Sequence, residues 1–534
     1  MPLLFLESVG DDPVAKQKGL TAPLTRTAAA TGSGTQLNKV ASNGVDRPGL
    51  DHHGTSSSMG SLTTVTRLTS AGTDDGKIIY PFKIKHLGHE IYTLYASTAQ
   101  DRAAWCNAIV EAKTRHARAL HAQNAEPFRL RVLSDTSFAY DSTSALGRQP
   151  GVSIRGTPLD RAIREMEKVY GPGRGPPPVS RAQVNCATSF SCFGKSVIAI
   201  GTDYGVYISE SSNPRGWTRS VQINKVTQIS VLEDFSVCLL IADRSLIAYP
   251  LDVVAPVSNF PAPVHDNPRR APQRLAKDVA FFATARMKDR MLLFYKRKEG
   301  MHNTFKVLEP VYQKATEKKP RLFGSRRSAS GSTESFRDFD EFYLPTECYS
   351  LNLFQSYIAV ASAKGFELLT LDKKNTQSIP RDLSQPAIAN IRERIKDQRP
   401  LGMFKLNDQE FLLTYEDCAV YVDKHGEISR TLIMEYSGKQ KKASGATMFG
   451  QYLLLFNEDY VEVRNAENGR LRQIIAGRDV RVLDHGFRGP TGNGQQPVAL
   501  DSKGTVKICM SHPEIPGGQI VLEMLLNDGH AEKA

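Results

Sequence analysis

A β-hairpin unit that recurs seven times between residues 181 and 526 places the strongest constraint on the fold. Each unit has an apolar strand, a short polar or glycine turn and a second strand, as in SVIAIGTDYGVYI and QYLLLFNEDYVEV. The seven units begin near residues 196, 236, 289, 356, 410, 451 and 496. A period of about 40–50 residues, lengthened by loop insertions, is typical of four-stranded propeller blades.

The two strands of each unit differ in pattern. The first is almost entirely apolar and is expected to be buried on both faces, whereas the second often alternates, as at Asp423 and Glu462. A single hairpin is only marginally stable in water, but seven sheets packed radially bury one another's faces. The sequence therefore predicts a mainly β fold with a seven-bladed β-propeller, and two smaller β-sandwiches are the alternative.

A different pattern precedes the repeats. The N-terminal PLLFLES has the composition of a strand, and KIIYPFKIK and HEIYTLYAS form a predicted hairpin. A helix follows, with Trp105, Ala108, Ile109 and Ala112 spaced to share one face. We therefore expect a small sheet covered by a helix, with Trp105 as its buried structural anchor.

These patterns divide the chain into four parts. The segment 11–76 is rich in Ser, Thr, Gly and Ala, which predicts a disordered insertion within the first part. The run GPGRGPPP (171–178), which follows a predicted helix, indicates a stiff linker. The predicted parts are a sheet-and-helix domain over 1–122 with the insertion at 11–76, a linker over 123–180 with a helix at about 158–170, the propeller over 181–526, and a tail over 527–534.

Charge and cysteine content exclude several functions. The net charge is +12, but the basic residues are spread thinly, with the longest cluster at Lys439, Lys441 and Lys442. This distribution predicts a solvated surface and no nucleic-acid partner. The seven cysteines include no C-x-x-C pair, and no histidine pair has zinc spacing, so we expect reduced cytosolic thiols, no metal site and no cofactor.

Particular stretches of the chain carry a family resemblance. The segment FLLTYEDCAVYVDKHGEISR (411–430) resembles the most characteristic part of the citron homology domain, a seven-bladed propeller of fungal Rho guanine-nucleotide exchange factors, citron-type kinases and germinal-centre kinases. RAQVNCATSF (181–190) resembles the start of that domain. GKIIYPFKIKHLGHEIYTLYASTAQDRAAWCNAI (76–109) is similar to the last strands and helix of the pleckstrin homology domain that precedes it.

The resemblance implies the C-terminal part of a fungal-type Rho exchange factor, with an incomplete pleckstrin homology domain ahead of the propeller. Exchange in that family is catalysed by a Dbl homology helical bundle, and no long helical tract precedes residue 77. We therefore expect no enzymatic activity from this chain alone. The expected partner is a Rho-type GTPase or another signalling protein, in small-GTPase and cell-wall-integrity signalling. The expected location is cytoplasmic, with recruitment to anionic plasma membrane as a further expectation.

Two short motifs are candidate interaction or regulatory sites. Lys424 and His425, with Arg430 beyond them, form a predicted hairpin turn that would face a protein partner. Two arginines precede Ser328 and Ser330, a pattern that basophilic kinases recognise, so both serines are candidate phosphorylation sites.

An alternative reading is a propeller hydrolase. Glu416–Asp417 and Glu458–Asp459 are adjacent acidic pairs in predicted turns. Glycosidases place two carboxylates about 5–9.5 Å apart across a cleft. Adjacent turn residues usually point apart, so we predict no catalytic residues, and the two readings differ in whether a central pocket is lined by ionisable groups.

Overall fold

A computed structural model describes most of the chain. The described residues are 3–7, 14–15, 26–27, 78–141, 151–172, 175–256, 271–299, 302–312, 335–486 and 504–530. Within them the chain forms one N-terminal sheet with a long helix, and seven further sheets of four or five strands. The predicted mainly β, seven-bladed propeller is confirmed.

The N-terminal sheet and helix form what we call the N-terminal unit. Its elements are β1 (Leu4–Leu6), β2 (Val14–Ala15), β3 (Arg26–Thr27), β4 (Ile78–His86), β5 (Ile91–Ala96) and α1 (Ala99–Ala122). Strands β4 and β5 pair antiparallel, and β1 and β2 both pair with β4. Thr98 caps α1 by accepting a hydrogen bond from the Asp101 amide at 3.0 Å. Apart from β2 and β3, the insertion predicted at 11–76 lies outside the described residues.

Two strands and one helix connect this unit to the repeats. They are β6 (Phe128–Ala139), α2 (Pro158–Tyr170) and β7 (Ser180–Arg181). The predicted helix at about 158–170 is α2, with Thr157 as its N-cap and a proline at its first position. Its apolar face, which includes Leu159, Ile163 and Met166, is buried in the same core cluster as strand β6.

The first six blades share one plan, in which four antiparallel strands follow chain order from the centre outward. Blade 1 contains β8 (Val184–Cys192), β9 (Lys195–Thr202), β10 (Gly205–Glu210) and β11 (Thr218–Val221), and blade 2 contains β12 (Val226–Leu232), β13 (Val237–Ala242), β14 (Ser245–Pro250) and β15 (Gln273–Ala276). Blade 3 contains β16 (Val279–Met287), β17 (Arg290–Glu299), β18 (His302–Pro310) and β19 (Phe336–Leu344), and blade 4 contains β20 (Cys348–Leu353), β21 (Ile358–Ser362), β22 (Gly365–Leu369) and β23 (Gln377–Ile379). Blade 5 contains β24 (Pro400–Lys405), β25 (Glu410–Tyr415), β26 (Cys418–Asp423) and β27 (Met434–Glu435), and blade 6 contains β28 (Gly445–Phe449), β29 (Tyr452–Asn457), β30 (Tyr460–Asn465) and β31 (Leu471–Ala476). Short helices α3 (Leu251–Val254) and α4 (Ala389–Ile395) lie in connections, and Ile391 and Ile395 of α4 are buried.

The seventh blade combines both ends of the propeller. It contains β32 (Arg481–Asp484), β33 (Val506–Ser511) and β34 (Gly518–Leu526), followed by β6 and β7 from before the repeats. Strand β6 pairs antiparallel with β34, so an N-terminal strand closes the ring. The first strand of the seventh predicted hairpin, near residue 496, lies outside the described residues.

Polar side chains join the first strands of successive blades. Gln228 donates to the Phe282 carbonyl at 2.6 Å and accepts from the Phe282 amide at 3.0 Å. Thr447 donates to the His485 carbonyl at 3.0 Å, and Arg481 of blade 7 donates to the Val184 carbonyl of blade 1 at 2.5 Å. These bonds satisfy buried backbone groups while they fix neighbouring blades to each other.

The predicted linker over 123–180 is wrong in its first part, because β6 lies within it. Phe128, Leu130 and Val132 are buried in the blade, whereas Arg129 and Arg131 alternate with them outside it. This alternation is the pattern of a half-buried strand. The sequence gives it no neighbouring hairpin partner, since its partner strand lies at the other end of the chain.

The prediction that Trp105 is a buried anchor is also wrong. Its side chain is 60% exposed, and the buried positions of α1 are Cys106, Thr114 and Ala117. Cys106 packs in a core cluster with Phe82 of the sheet. Trp105 lies one position away from this face, which corresponds to a rotation of about 100° around the helix.

Candidate protein-interaction site

A tight hairpin of the N-terminal unit contacts the propeller at blades 5 and 6. Leu87 is fully buried and packs in one cluster with Phe5, Tyr460 and Ala476. Gly88 has φ of +73°, and a Cβ at this position would lie 2.7 Å from Tyr460 Oη and 2.9 Å from the Gly438 Cα. Only glycine fits this approach without a shift of backbone or side chain.

A buried ion pair reinforces the same contact. Lys85 Nζ lies 2.7 Å from Asp459 Oδ1, and Lys441 Nζ lies 3.0 Å from Asp459 Oδ2. Asp459 is only 3% exposed. Burial alone would raise the pKa of Asp459, but the charges of both lysines and their hydrogen bonds hold that pKa below its usual value.

Two histidines complete the contact. The rings of His86 and His89 stack with centroids 4.1 Å apart, and His89 Nε2 lies 2.7 Å from the Ser437 carbonyl oxygen. Burial, followed by the proximity of His89, lowers the pKa of His86. Gln440 donates to Glu90 at 3.0 Å. The N-terminal unit is therefore held against this end of the propeller by apolar, ionic and hydrogen-bonded contacts.

The two acidic pairs of the hydrolase alternative are engaged in ion pairs. Glu416 pairs with Lys442 at 3.0 Å, and Asp417 pairs with Arg394 at 2.8 Å. Glu458 pairs with Lys441 at 3.0 Å. These contacts tie the turns of blades 5 and 6 to neighbouring loops and to helix α4, so they give the carboxylates a structural role.

No candidate metal centre is present within the described part of the chain, where no group of three or more His, Cys, Asp or Glu side chains is arranged to bind an ion.

The predicted interaction turn is only partly assembled. Lys424 and His425 are exposed in the turn after β26, where Asp423 Oδ1 accepts from the His425 amide at 2.8 Å. Arg430 instead lies over the Tyr421 ring at 4.3 Å and pairs with Glu410 at 2.5 Å. The structure therefore separates Arg430 from the exposed turn. The candidate phosphorylation sites Ser328 and Ser330 lie outside the described residues.

A groove that the sequence analysis did not identify lies between blades 1, 2 and 3. Its volume is about 660 Å³, and its walls include Phe193, Glu233, Phe235, Asp252, Gln273 and Tyr312. Residues from several turns meet here. The local signal in the sequence is an acidic and aromatic run, Glu233-Asp234-Phe235, in the turn after the first strand of blade 2. We call this feature the blade 1–3 groove.

The groove and the N-terminal unit occupy opposite ends of the blades. Phe193 and Glu233 follow the first strands of their blades, whereas Asp459 follows the second strand of blade 6. Consecutive strands are antiparallel, so turns after first strands and turns after second strands lie at opposite ends of a sheet. A partner at the groove would leave the N-terminal contact undisturbed.

A closed ring of seven sheets, antiparallel except for the β6–β7 pair, defines the protein as a seven-bladed β-propeller. The family model described as the CNH domain matches residues 194–486, which is more than half of the chain. The chain therefore belongs to the CNH domain family, and the resemblance of the sequence to the citron homology domain is confirmed. Among the described residues, no helix has the length and apolar character that a membrane crossing requires.

Two known proteins are similar in sequence to this chain over most of its length. Rho1 guanine nucleotide exchange factor 3 of Schizosaccharomyces pombe is 29% identical over 76% of this chain and 32% of its own length. Rho1 guanine nucleotide exchange factor 1 of the same organism is 27% identical over 80% of this chain and 28% of its own length. The chain thus spans about a third of the length of these relatives.

One solved structure, titled AfRom2 CNH domain, is 23% identical and covers 64% of this chain and 94% of its own, with a TM-score of 0.49.

Proposed function

We propose that this chain is the regulatory, protein-interaction portion of a Rho guanine-nucleotide exchange factor, and that its propeller docks a Rho-type GTPase. The observation that carries the proposal is the similarity to Rho1 exchange factors over 76–80% of the chain, which extends beyond the propeller itself. The proposed contribution of the propeller is docking, and nucleotide exchange is assigned to other parts of such a factor.

We also propose that the N-terminal unit corresponds to the last part of a pleckstrin homology domain. Two antiparallel strands, β4 and β5, followed by the 24-residue helix α1, support this assignment. The contact of Lys85 with Asp459 would then fix this domain relative to the propeller. A GTPase on the propeller would consequently have a defined orientation with respect to the rest of an exchange factor.

Docking of a protein is favoured over docking of an anionic membrane by the use of basic side chains in the N-terminal unit. Lys85 is engaged with Asp459. Lys113 lies 4.0 Å above the Phe5 ring, and burial lowers its pKa to about 8. These two side chains are therefore engaged in contacts within the protein and do not face a membrane. Sedimentation with vesicles of neutral and of anionic lipid, at low and high salt, tests the membrane alternative.

A cytoplasmic location is part of the proposal. All seven cysteines are free thiols, and six of them are buried. Thiols without disulfide partners are typical of reducing compartments.

The experiment is biolayer interferometry with the full chain immobilised and a Rho-type GTPase in solution. The GTPase is presented nucleotide-free, GDP-bound and GTP-bound, with a Ras-type GTPase as the matched control. The proposal predicts saturable binding of the Rho-type protein in at least one state and none of the control. Absence of binding in all three states contradicts the proposal.

A further inference from the structure

A short motif that basophilic kinases recognise recurs among the described residues, but its accessibility differs from place to place. An arginine stands three residues before a serine or threonine three times, in Arg131–Ser134, Arg215–Thr218 and Arg381–Ser384. Ser134 is fully buried, and Arg215 is only 17% exposed and pairs with Asp135 at 3.0 Å. In the third pair both side chains are exposed. The structure therefore leaves one of these three pairs within reach of a kinase.

The exposed pair lies in the connection between β23 and α4. Ile379 and Ile388 are buried at the two ends of this connection, whereas Ser384 and Gln385 between them are exposed. Residues 381–385 belong to no helix or strand. A kinase can therefore bind this part of the chain without breaking a sheet, because it is a surface loop on a rigid scaffold.

The hydroxyl of Ser384 holds the connection in its turn. Ser384 Oγ donates to Asp382 Oδ1, and Gln385 Nε2 donates to Asp382 Oδ2 at 3.1 Å. These hydrogen bonds lower the pKa of Asp382. The backbone of Asp382 has φ of +44°, a left-handed value that is uncommon for residues other than glycine. The turn is therefore stabilised by hydrogen bonds that need a donor at Ser384.

We propose that Ser384 is a phosphorylation site for a kinase that recognises an arginine three residues before the serine. The Ser384 oxygen attacks the γ-phosphorus of ATP, the bond from that phosphorus to the leaving ADP breaks, and the hydroxyl proton passes to a base of the kinase. The ester oxygen then has no proton to donate to Asp382. The phosphate also adds a charge of about −1.5 to −2 beside this carboxylate, so the turn opens.

Opening of this turn alters a surface that blades 4 and 5 share. The Arg381 amide donates to the Gly426 carbonyl at 2.7 Å, and Lys424 and His425 are exposed beside Gly426. Phosphorylation thus adds negative charge to the connection that contacts the predicted interaction turn, and it changes the charge that a partner protein meets. This inference is independent of the proposed GTPase docking, because it rests on the connection alone.

The test is incubation of the folded full chain with ATP and calmodulin-dependent protein kinase II, an arginine-directed kinase, followed by mass spectrometry of its peptides. We expect phosphate on Ser384 and none on Ser134 or Thr218, because Ser134 is buried and the arginine before Thr218 is engaged. Arg381→Gln should slow the modification of Ser384 about tenfold, since it removes the cation that the kinase binds. Ser212→Ala alters an exposed turn serine without such an arginine and should leave the rate unchanged.

Hydrogen exchange of the unmodified and phosphorylated chains tests the opening of the turn. We expect faster exchange in residues 380–388 after phosphorylation and unchanged exchange in blades 1–3. Asp382→Gly is the matched control, because glycine suits the left-handed backbone and lacks the carboxylate that the phosphate repels. In this variant phosphorylation should leave exchange in residues 380–388 unchanged.

Absence of phosphate on Ser384 after prolonged incubation would overturn the proposal. Equal rates of modification in Arg381→Gln and the unaltered chain would do the same, because the arginine would then have no part in recognition. Equal modification of Ser134 and Ser384 would also contradict it, since the kinase would then be acting on unfolded chain. Equal exchange of residues 380–388 before and after phosphorylation would contradict the opening of the turn.

Discussion

Lys85 Nζ lies 2.7 Å from Asp459 Oδ1, and this ion pair joins the N-terminal sheet to blade 6 across 374 positions of sequence. Asp459 also receives Lys441 at 3.0 Å, so one buried carboxylate balances two ammonium groups. Removing one partner of a buried pair leaves charge without compensation, which costs more than the net value of the pair. The orientation of the N-terminal unit therefore depends on Asp459.

The first prediction concerns this carboxylate. Asp459→Asn keeps the shape of the side chain but leaves Lys85 without its counter-charge and leaves Lys441 with Glu458 alone. We expect the contact between the N-terminal unit and the propeller to lose about 3 kcal/mol. Hydrogen exchange in the variant should become faster in residues 84–91, whereas exchange in blades 1–3 should stay as in the unaltered chain. Asp408→Asn, which removes a charge that is 87% exposed and pairs only with the exposed Lys405, is the control. Equal exchange in Asp459→Asn and the unaltered chain would show that apolar contacts at Leu87 alone hold the unit.

The second prediction concerns the strand that closes the ring. A fragment over 181–526 lacks β6 and exposes both the edge of β34 and the apolar residues that β6 covers. A fragment over 124–530 retains β6, which pairs with this edge and covers these residues. We expect the longer fragment to unfold cooperatively and the shorter one to aggregate or to melt at least about 10 °C lower.

Complementation provides the control for this prediction. A synthetic peptide over residues 126–141 should raise the melting temperature of the shorter fragment, because it restores the missing strand. Equal thermal stability of the two fragments would contradict the closure of the ring by β6.

The third prediction concerns His512 and pH. Burial lowers the pKa of His512 to about 4, against the opposing carboxylates of Asp135 and Glu167. In the unfolded chain it titrates near 6.5, so between these values the unfolded state binds a proton that the folded state does not. The free energy of unfolding therefore falls as pH falls from 6.5 to 4, by roughly 3 kcal/mol from this group.

Denaturant unfolding of the full chain at several pH values measures this dependence. His512 Nδ1 accepts from the Glu514 and Ile515 amides at 3.1 Å each. His512→Asn retains an acceptor but does not titrate, and we expect a shallower loss of stability in this pH range. An identical pH dependence of the two proteins would assign the effect to other groups.

The fourth prediction concerns Trp105. Because its side chain is 60% exposed, Trp105→Ala should change the free energy of unfolding by less than about 1 kcal/mol. Leu87→Ala removes a fully buried side chain and should cost about 2–5 kcal/mol. Thermal denaturation followed by circular dichroism compares the two variants. A large loss for Trp105→Ala would mean that another part of the chain covers this residue.

Local pattern explains why the blades could be predicted from sequence. Strand β29 is apolar from Tyr452 to Phe456 and buried on both faces, and it forms one hairpin with β30. Such units contain their own partner within a few residues. Burial and pairing can then be inferred without knowledge of the rest of the chain.

Distance in sequence explains what could not be predicted. Arg131 of β6 pairs with Glu523, 392 positions away, and no local signal links the two strands. The groove likewise depends on Ser191 and Glu233 meeting across two blades. For Trp105, the spacing with Ala108 and Ile109 indicated a buried face, but the packing face of a helix is set by its angle to the sheet, which the spacing of apolar residues determines only to within about one position.

The most direct test of the central claim is a hydrogen-exchange footprint of a Rho-type GTPase on the full chain. The claim is that the propeller, residues 181–526, provides the docking surface. It predicts that amides protected on GTPase addition lie in the blades and their turns, while exchange in α1 is unchanged. Protection confined to the N-terminal unit, or no protection at saturating GTPase, would contradict it.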